Sequence, residues 1–133
     1  MSEAVLPRPT DGELAILRVL WERGDSTVRE VHEVLTRREP GDAGPGYTTV
    51  LKLMQIMTDK GLVERDETQR AHVYRAKATE QRTQRQLVTD LVERAFGGSP
   101  ARLAMQALSS RKTSPQELAQ LRQLLDSLEG ADE

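Results

Sequence analysis

The stretch Thr48-Thr-Val-Leu-Lys-Leu-Met-Gln-Ile-Met-Thr-Asp-Lys60, with Gly61, Leu62-Val-Glu-Arg-Asp66 and Ala71-His-Val-Tyr-Arg-Ala76 behind it, decides the fold. Val50, Leu53, Met54 and Met57 recur at the spacing of one helical face, which predicts a helix over 48–60 with a single buried stripe. Gly61 supplies the stop. Residues 62–66 and 71–76 then read as two short strands around a polar turn at 67–70. The face opposite the stripe carries Thr48, Thr49, Lys52 and Gln55, together with two apolar residues, Leu51 and Ile56.

Upstream, two helix starts are marked by reciprocal capping signals, Thr10-Asp-Gly-Glu13 and Thr27-Val-Arg-Glu30. They predict helices over roughly 11–23, with Leu14, Leu17 and Trp21 on one face, and roughly 28–38, with Val31, Val34 and Leu35 inward. The Gly- and Pro-rich run at 39–46 is a loop. Helix, helix, helix, hairpin is the order of a winged helix-turn-helix. Downstream, Thr79, Ser99-Pro100 and Ser114-Pro115-Gln-Glu117 open three more helices, and Gly97-Gly98 breaks the first from the second. The last has Leu118, Leu121, Leu125 and Leu128 along one seam.

The expected architecture is therefore mainly α with a small β-hairpin: a winged-helix domain over 1–78 and a C-terminal helical region over 79–133. Three short helices enclose little core of their own. Their apolar stripes call for a second copy, and Leu87, Leu91, Phe96, Leu103, Leu118, Leu121 and Leu125 are the expected dimerisation residues.

Composition narrows the function. The 133 residues include no cysteine, which excludes disulfides, thiolate metal sites and cysteine nucleophiles and fits a cytoplasmic protein. The apolar runs are short, so no membrane insertion is expected, and the N-terminus lacks a signal-peptide pattern. Four aromatic residues, Trp21, Tyr47, Tyr74 and Phe96, are too few for a base-stacking platform; Trp21 and Tyr74 are expected in the core, and Phe96 within the C-terminal unit. The histidines, His32 on a helix and His72 in a strand, stand beside no nucleophile or ligand set, so neither an enzyme, a metal nor a cofactor is expected. The net charge is −2, and residues 1–78 hold 12 basic against 13 acidic side chains. Binding to nucleic acid must then rest on a local patch. Between Tyr47 and Arg85 eight basic residues face five acids, and these supply the one candidate.

The outer face of 48–60 suits double-stranded DNA. Thr48 and Thr49 at the helix start can hold a phosphate or reach a base edge. Lys52 can meet guanine or phosphate, Gln55 can pair with adenine, and Leu51 can touch a thymine methyl. Tyr47 opens the same segment, and Arg70 at the hairpin tip can neutralise a phosphate. The same residues are also ordinary caps and solvated side chains. A winged-helix protein-interaction module without specific DNA binding is the alternative, favoured by the near-neutral charge and by Ile56 on the outer face.

A further set of stretches points to a family. They are Glu13-Leu-Ala-Ile-Leu-Arg-Val-Leu-Trp21, Thr27-Val-Arg-Glu-Val31, Tyr47-Thr-Thr-Val50, Lys60-Gly-Leu-Val63 and Arg70-Ala-His-Val-Tyr74, with Phe96-Gly-Gly-Ser99 and Ser114-Pro-Gln-Glu-Leu-Ala-Gln-Leu-Arg122 further on. In this order they resemble the penicillinase-repressor (BlaI/MecI-type) family of bacterial transcriptional regulators. The resemblance implies a winged-helix DNA-binding domain, a C-terminal dimerisation unit, and a homodimeric repressor on inverted-repeat operators. It also implies, for some members, relief by a membrane sensor protease that cuts in the C-terminal unit. Departures are visible. Ile56 stands where the family often has Arg, the loop at 39–46 is longer than usual, and Gln106-Ala107 replaces the Asn–Phe cleavage pair. The lack of cysteine excludes the thiolate copper switch of other relatives.

Overall fold

The computed structural model describes residues 7–38 and 44–131. Six helices and one hairpin follow in order: α1 (Asp11–Arg23), α2 (Val28–Arg38), α3 (Tyr47–Lys60), β1 (Val63–Asp66), β2 (Val73–Ala76), α4 (Glu80–Ala95), α5 (Pro100–Ser110) and α6 (Pro115–Ala131). The chain divides into two compact units between Val88 and Thr89, inside α4. The order of elements read from the sequence puts the change at residue 78, just ahead of α4, which itself runs from Glu80 to Ala95. Most of the loop expected at 39–46 lies outside the described residues.

Local chemistry sets the helix ends. Thr10 and Glu13 form the expected box: the Glu13 amide donates to Thr10 Oγ1 at 3.3 Å, and the Thr10 amide donates to Glu13 Oε1 at 2.9 Å. Thr27 and Glu30 repeat it at 3.2 and 2.9 Å. Thr79, Ser99 and Ser114 accept from the first-turn amides of α4, α5 and α6. At the end of α3, Gly61 takes φ +87°, a conformation that favours glycine. That turn lets the Leu62 amide reach back to the Met57 carbonyl and start β1.

The core of the first unit joins Ile16, Leu17, Val19 and Leu20 of α1 to Val28, Val31 and Leu35 of α2 and Val50, Met54 and Met57 of α3, closed by Leu62, Val63 and Tyr74. Each such side chain contributes about 1.5–3 kcal/mol on full burial. α1 is buried more broadly than its predicted face: Ile16, Val19 and Leu20 lie inside, while Leu14 and Trp21 are half-buried. Trp21 anchors its rim instead, its Nε1 donating to the Ala78 carbonyl at 3.0 Å.

The hairpin is antiparallel, pairing Val63 with Ala76 and Asp66 with Val73. It is shorter than expected, and His72 lies just ahead of β2 instead of within a strand. Asp66 ends β1 by accepting from the Thr68 amide and hydroxyl, an Asx turn that blocks further pairing. Outside the β1–β2 ladder, the buried Ser26 forms an isolated antiparallel bridge to β2, exchanging backbone bonds of 3.1 and 2.8 Å with Tyr74. The hairpin is thereby stitched to the link between α1 and α2.

The second unit is thinly packed. Among its described residues Val92 alone is buried, and α5 and α6 contain no buried residue. Phe96, Leu103, Leu118 and Leu121 are half-buried, whereas Leu91 and Leu125 are exposed. Leu87 belongs to the first unit, where it lines a small crevice with Leu17 and Leu62.

Candidate nucleic-acid interface

The three fully buried positions of α3, Val50, Met54 and Met57, fix which way the rest of the helix points. Opposite them, Thr48, Lys52, Gln55 and, in the last turn, Asp59 form the outermost strip, all exposed, with Ile56 beside them at 38% exposure. Thr49 is exposed on the flank toward α1 and lines a groove there with Leu53. Tyr47 and Leu51 occupy the other flank. They line an open groove whose far wall is the hairpin, at Arg70, and whose near wall is the start of α2, at Arg29. The chain thus brings Tyr47, Leu51 and Arg70 around one groove and sets Thr48, Lys52 and Gln55 on the adjoining ridge.

The start of α3 is unlike the other helix starts. Its cap is Gly46, which offers no side-chain acceptor, and its first turn holds no acidic residue. The other five helices carry a Thr or Ser cap. Helix α3 begins one residue earlier than expected, so Thr48 and Thr49 sit inside the first turn and neither hydroxyl is used as a cap. Among the described residues no side chain caps the first-turn amides, which lie at the positive end of the helix dipole. Tyr47 makes an edge-to-face contact there with His32, ring centres 5.8 Å apart.

Ion pairs sort the basic residues. Lys60 is turned inward: its Nζ meets both oxygens of buried Glu13 at 2.8 and 2.9 Å, tying the last residue of α3 to the start of α1. Burial pushes the Glu13 carboxyl upward, but the bonds from Lys60 and Thr10 outweigh it and hold the group below its ordinary range. Arg65 pairs with Glu67 and Arg75 with Asp25. Lys52 and Arg70 make no ion pair among the described residues and keep their charge for a partner. Sequence patterning gives no sign of the Lys60 sequestration, since Glu13 is 47 positions away.

No cluster of three or more potential metal ligands occurs among the described residues. No described helix is long and apolar enough to cross a membrane.

The penicillinase repressor family model matches residues 9–127, both units included. The chain belongs to the penicillinase repressor family. It is 40% identical over 72 residues to the transcriptional regulator BlaI of Mycobacterium tuberculosis, in strains CDC 1551 and H37Rv. That match takes in 53% of this chain and spans about half, 49%, of each relative. The solution structure of the DNA-binding domain of the repressor BlaI is also similar, at TM-score 0.48 and 20% identity, over 59% of this chain and 90% of that one. These relatives are regulators of transcription, not enzymes.

Proposed function

We propose that this member of the penicillinase repressor family is a DNA-binding transcriptional repressor that acts as a homodimer on an inverted-repeat operator. One observation carries the reading: the strip Thr48, Lys52, Gln55 faces solvent while Val50, Met54 and Met57 of the same helix are fully buried. A helix presented in this way, beside an uncapped N-terminus and flanked by a hairpin, fits a major groove. Lys52 and Gln55 supply base-edge donors, Thr48 and Thr49 supply hydroxyls for phosphate or base, and Leu51 offers an apolar contact to thymine. Arg70 meets the flanking backbone.

The exposed leucines of the second unit support the dimer. Leu91, Leu124, Leu125 and Leu128 are each about half or more exposed, which a monomer does not favour. Phe96, Leu103, Leu118 and Leu121 of the same unit are half-buried and add partly exposed apolar area. Gln106 and Ala107 are exposed within α5, and a sensor protease acting there would have to unwind the helix.

The test is an anisotropy titration of the full chain with the duplex upstream of its own gene, against a scrambled duplex of equal composition. The reading requires tighter binding to the first at moderate salt. Equal and weak binding to both would leave the protein-interaction module in its place.

A further inference from the structure

We propose that the groove between the start of α2, the flank of α3 and the hairpin grips one phosphate of the DNA backbone, with Arg29 and Arg70 as its two cations. This deepens the DNA-binding reading and rests on it. Arg29 lies in the first turn of α2 and Arg70 in the hairpin turn, 41 residues later, yet both line the same groove as Tyr47 and Leu51. His72 completes the hairpin side.

Among the described residues no carboxylate lines this groove. Glu33, one turn beyond Arg29 on α2, is exposed and is not part of the groove lining, and two other acids close to it in sequence are engaged elsewhere. Glu30 accepts from the Thr27 amide and from Arg23, and Asp25 is paired with Arg75. Arg29 and Arg70 make no ion pair among the described residues, and both are exposed. In a region where acids and bases nearly balance, the groove is therefore locally positive. Two guanidinium groups from separate elements present planar forks, the geometry that matches phosphate oxygens. The Tyr47 hydroxyl, on the ring in contact with His32, adds a neutral donor on the α3 side. The groove opens directly beside the Thr48–Lys52–Gln55 ridge. A duplex that receives the ridge in its major groove must pass a backbone strand over one flank of α3, and this flank is the one prepared for an anion.

A phosphate contact positions the protein without reading sequence, which separates this role from that of Lys52 or Gln55. The experiment titrates the full-length chain and its Arg29→Ala and Arg29→Lys variants against the promoter duplex and a scrambled duplex over a range of salt. Arg29→Ala is expected to weaken both duplexes by a similar factor, about 5–20-fold, and to reduce the salt slope by about one. Arg29→Lys should keep the slope and lose only part of the affinity. A scan of single neutral methylphosphonates should find one position that weakens the wild type and leaves Arg29→Ala unaffected. Arg29 is exposed, so melting temperatures should agree across the three proteins. A wild type that binds specifically, with Arg29→Ala equal in affinity and slope, removes the phosphate grip and leaves the reading of α3 intact. A loss confined to the promoter duplex would make Arg29 a base reader and overturn the proposal. A wild type that binds no duplex fails at the earlier step and takes the groove's role with it.

Discussion

Breaking the Glu13–Lys60 pair should loosen the seat of α3 in the first unit. Glu13 is 1% exposed, and its carboxylate accepts two bonds from Lys60 and one from the Thr10 amide. Glu13→Gln keeps the shape and the capping acceptor but removes the charge. Hydrogen bonds to charged groups are worth about 1.5–3 kcal/mol. The Lys60 side chain is 35% exposed, so solvent screens part of that, and the expected loss is about 1–2 kcal/mol. For a unit of this size that lowers the melting temperature by about 5–12 °C. Lys60→Met should cost at least as much, since it leaves a buried carboxylate without its cation.

The assay is a double-mutant cycle by urea denaturation at neutral pH, repeated toward acid. The folded-state pKa of Glu13 is depressed, so its contribution is complete above the ordinary glutamate value, about 4.3, and is lost as pH falls through the lower folded value. The gap between wild type and Glu13→Gln should therefore be constant from pH 7 to about pH 5 and close below about pH 4. A coupling energy under about 0.3 kcal/mol, or a gap indifferent to acid, would refute the reasoning.

Other outcomes follow from the same geometry. Lys52→Ala should weaken promoter binding by about 1–3 kcal/mol if it reads a base, and lower the salt slope on all duplexes if it meets phosphate; a titration over salt separates the two. Ile56→Arg restores a cation on the outer strip and should tighten binding to scrambled DNA while steepening its salt dependence by about one. Leu125→Asp with Leu128→Asp, both more than half exposed, should shift the full chain to monomer in sedimentation without lowering its helicity by circular dichroism. Gly61→Ala, forced to φ +87°, should cost about 1 kcal/mol in denaturation although no neighbour lies within 4 Å of the added methyl.

Features carried by neighbours in sequence were legible from the sequence. The capping boxes at Thr10–Glu13 and Thr27–Glu30, the glycine stop at Gly61 and the stripe of α3 depend on spacings within one or two turns; the structure places the boxes and the stop as expected and buries Val50, Met54 and Met57, while Leu53 of the same expected stripe is only half-buried. The exposed strip of α3 followed from the same periodicity. Contacts across the chain left no comparable mark. Ser26 pairs with Tyr74 through backbone atoms alone, so its side chain announces nothing. Lys60 looks like any terminal helix lysine until Glu13 arrives beside it, and Trp21 finds its acceptor 57 residues away. The groove with Arg29 needed α2 and the hairpin to be set side by side. The wide burial of α1 also escaped a single-face pattern, because α2, α3 and β2 all pack against it.

A cross-linking probe at Gln55 tests the account most directly. The chain has no native cysteine, so Gln55→Cys carries a photoreactive label at one site, with Gln123→Cys on α6 as the control. If the outer strip of α3 enters the duplex, illumination joins the Gln55 label to bases of the promoter fragment in high yield. Unlabelled promoter abolishes that product and scrambled DNA does not. Joining at Gln55 no more frequent than at Gln123, on a fragment that is demonstrably bound, would contradict the account.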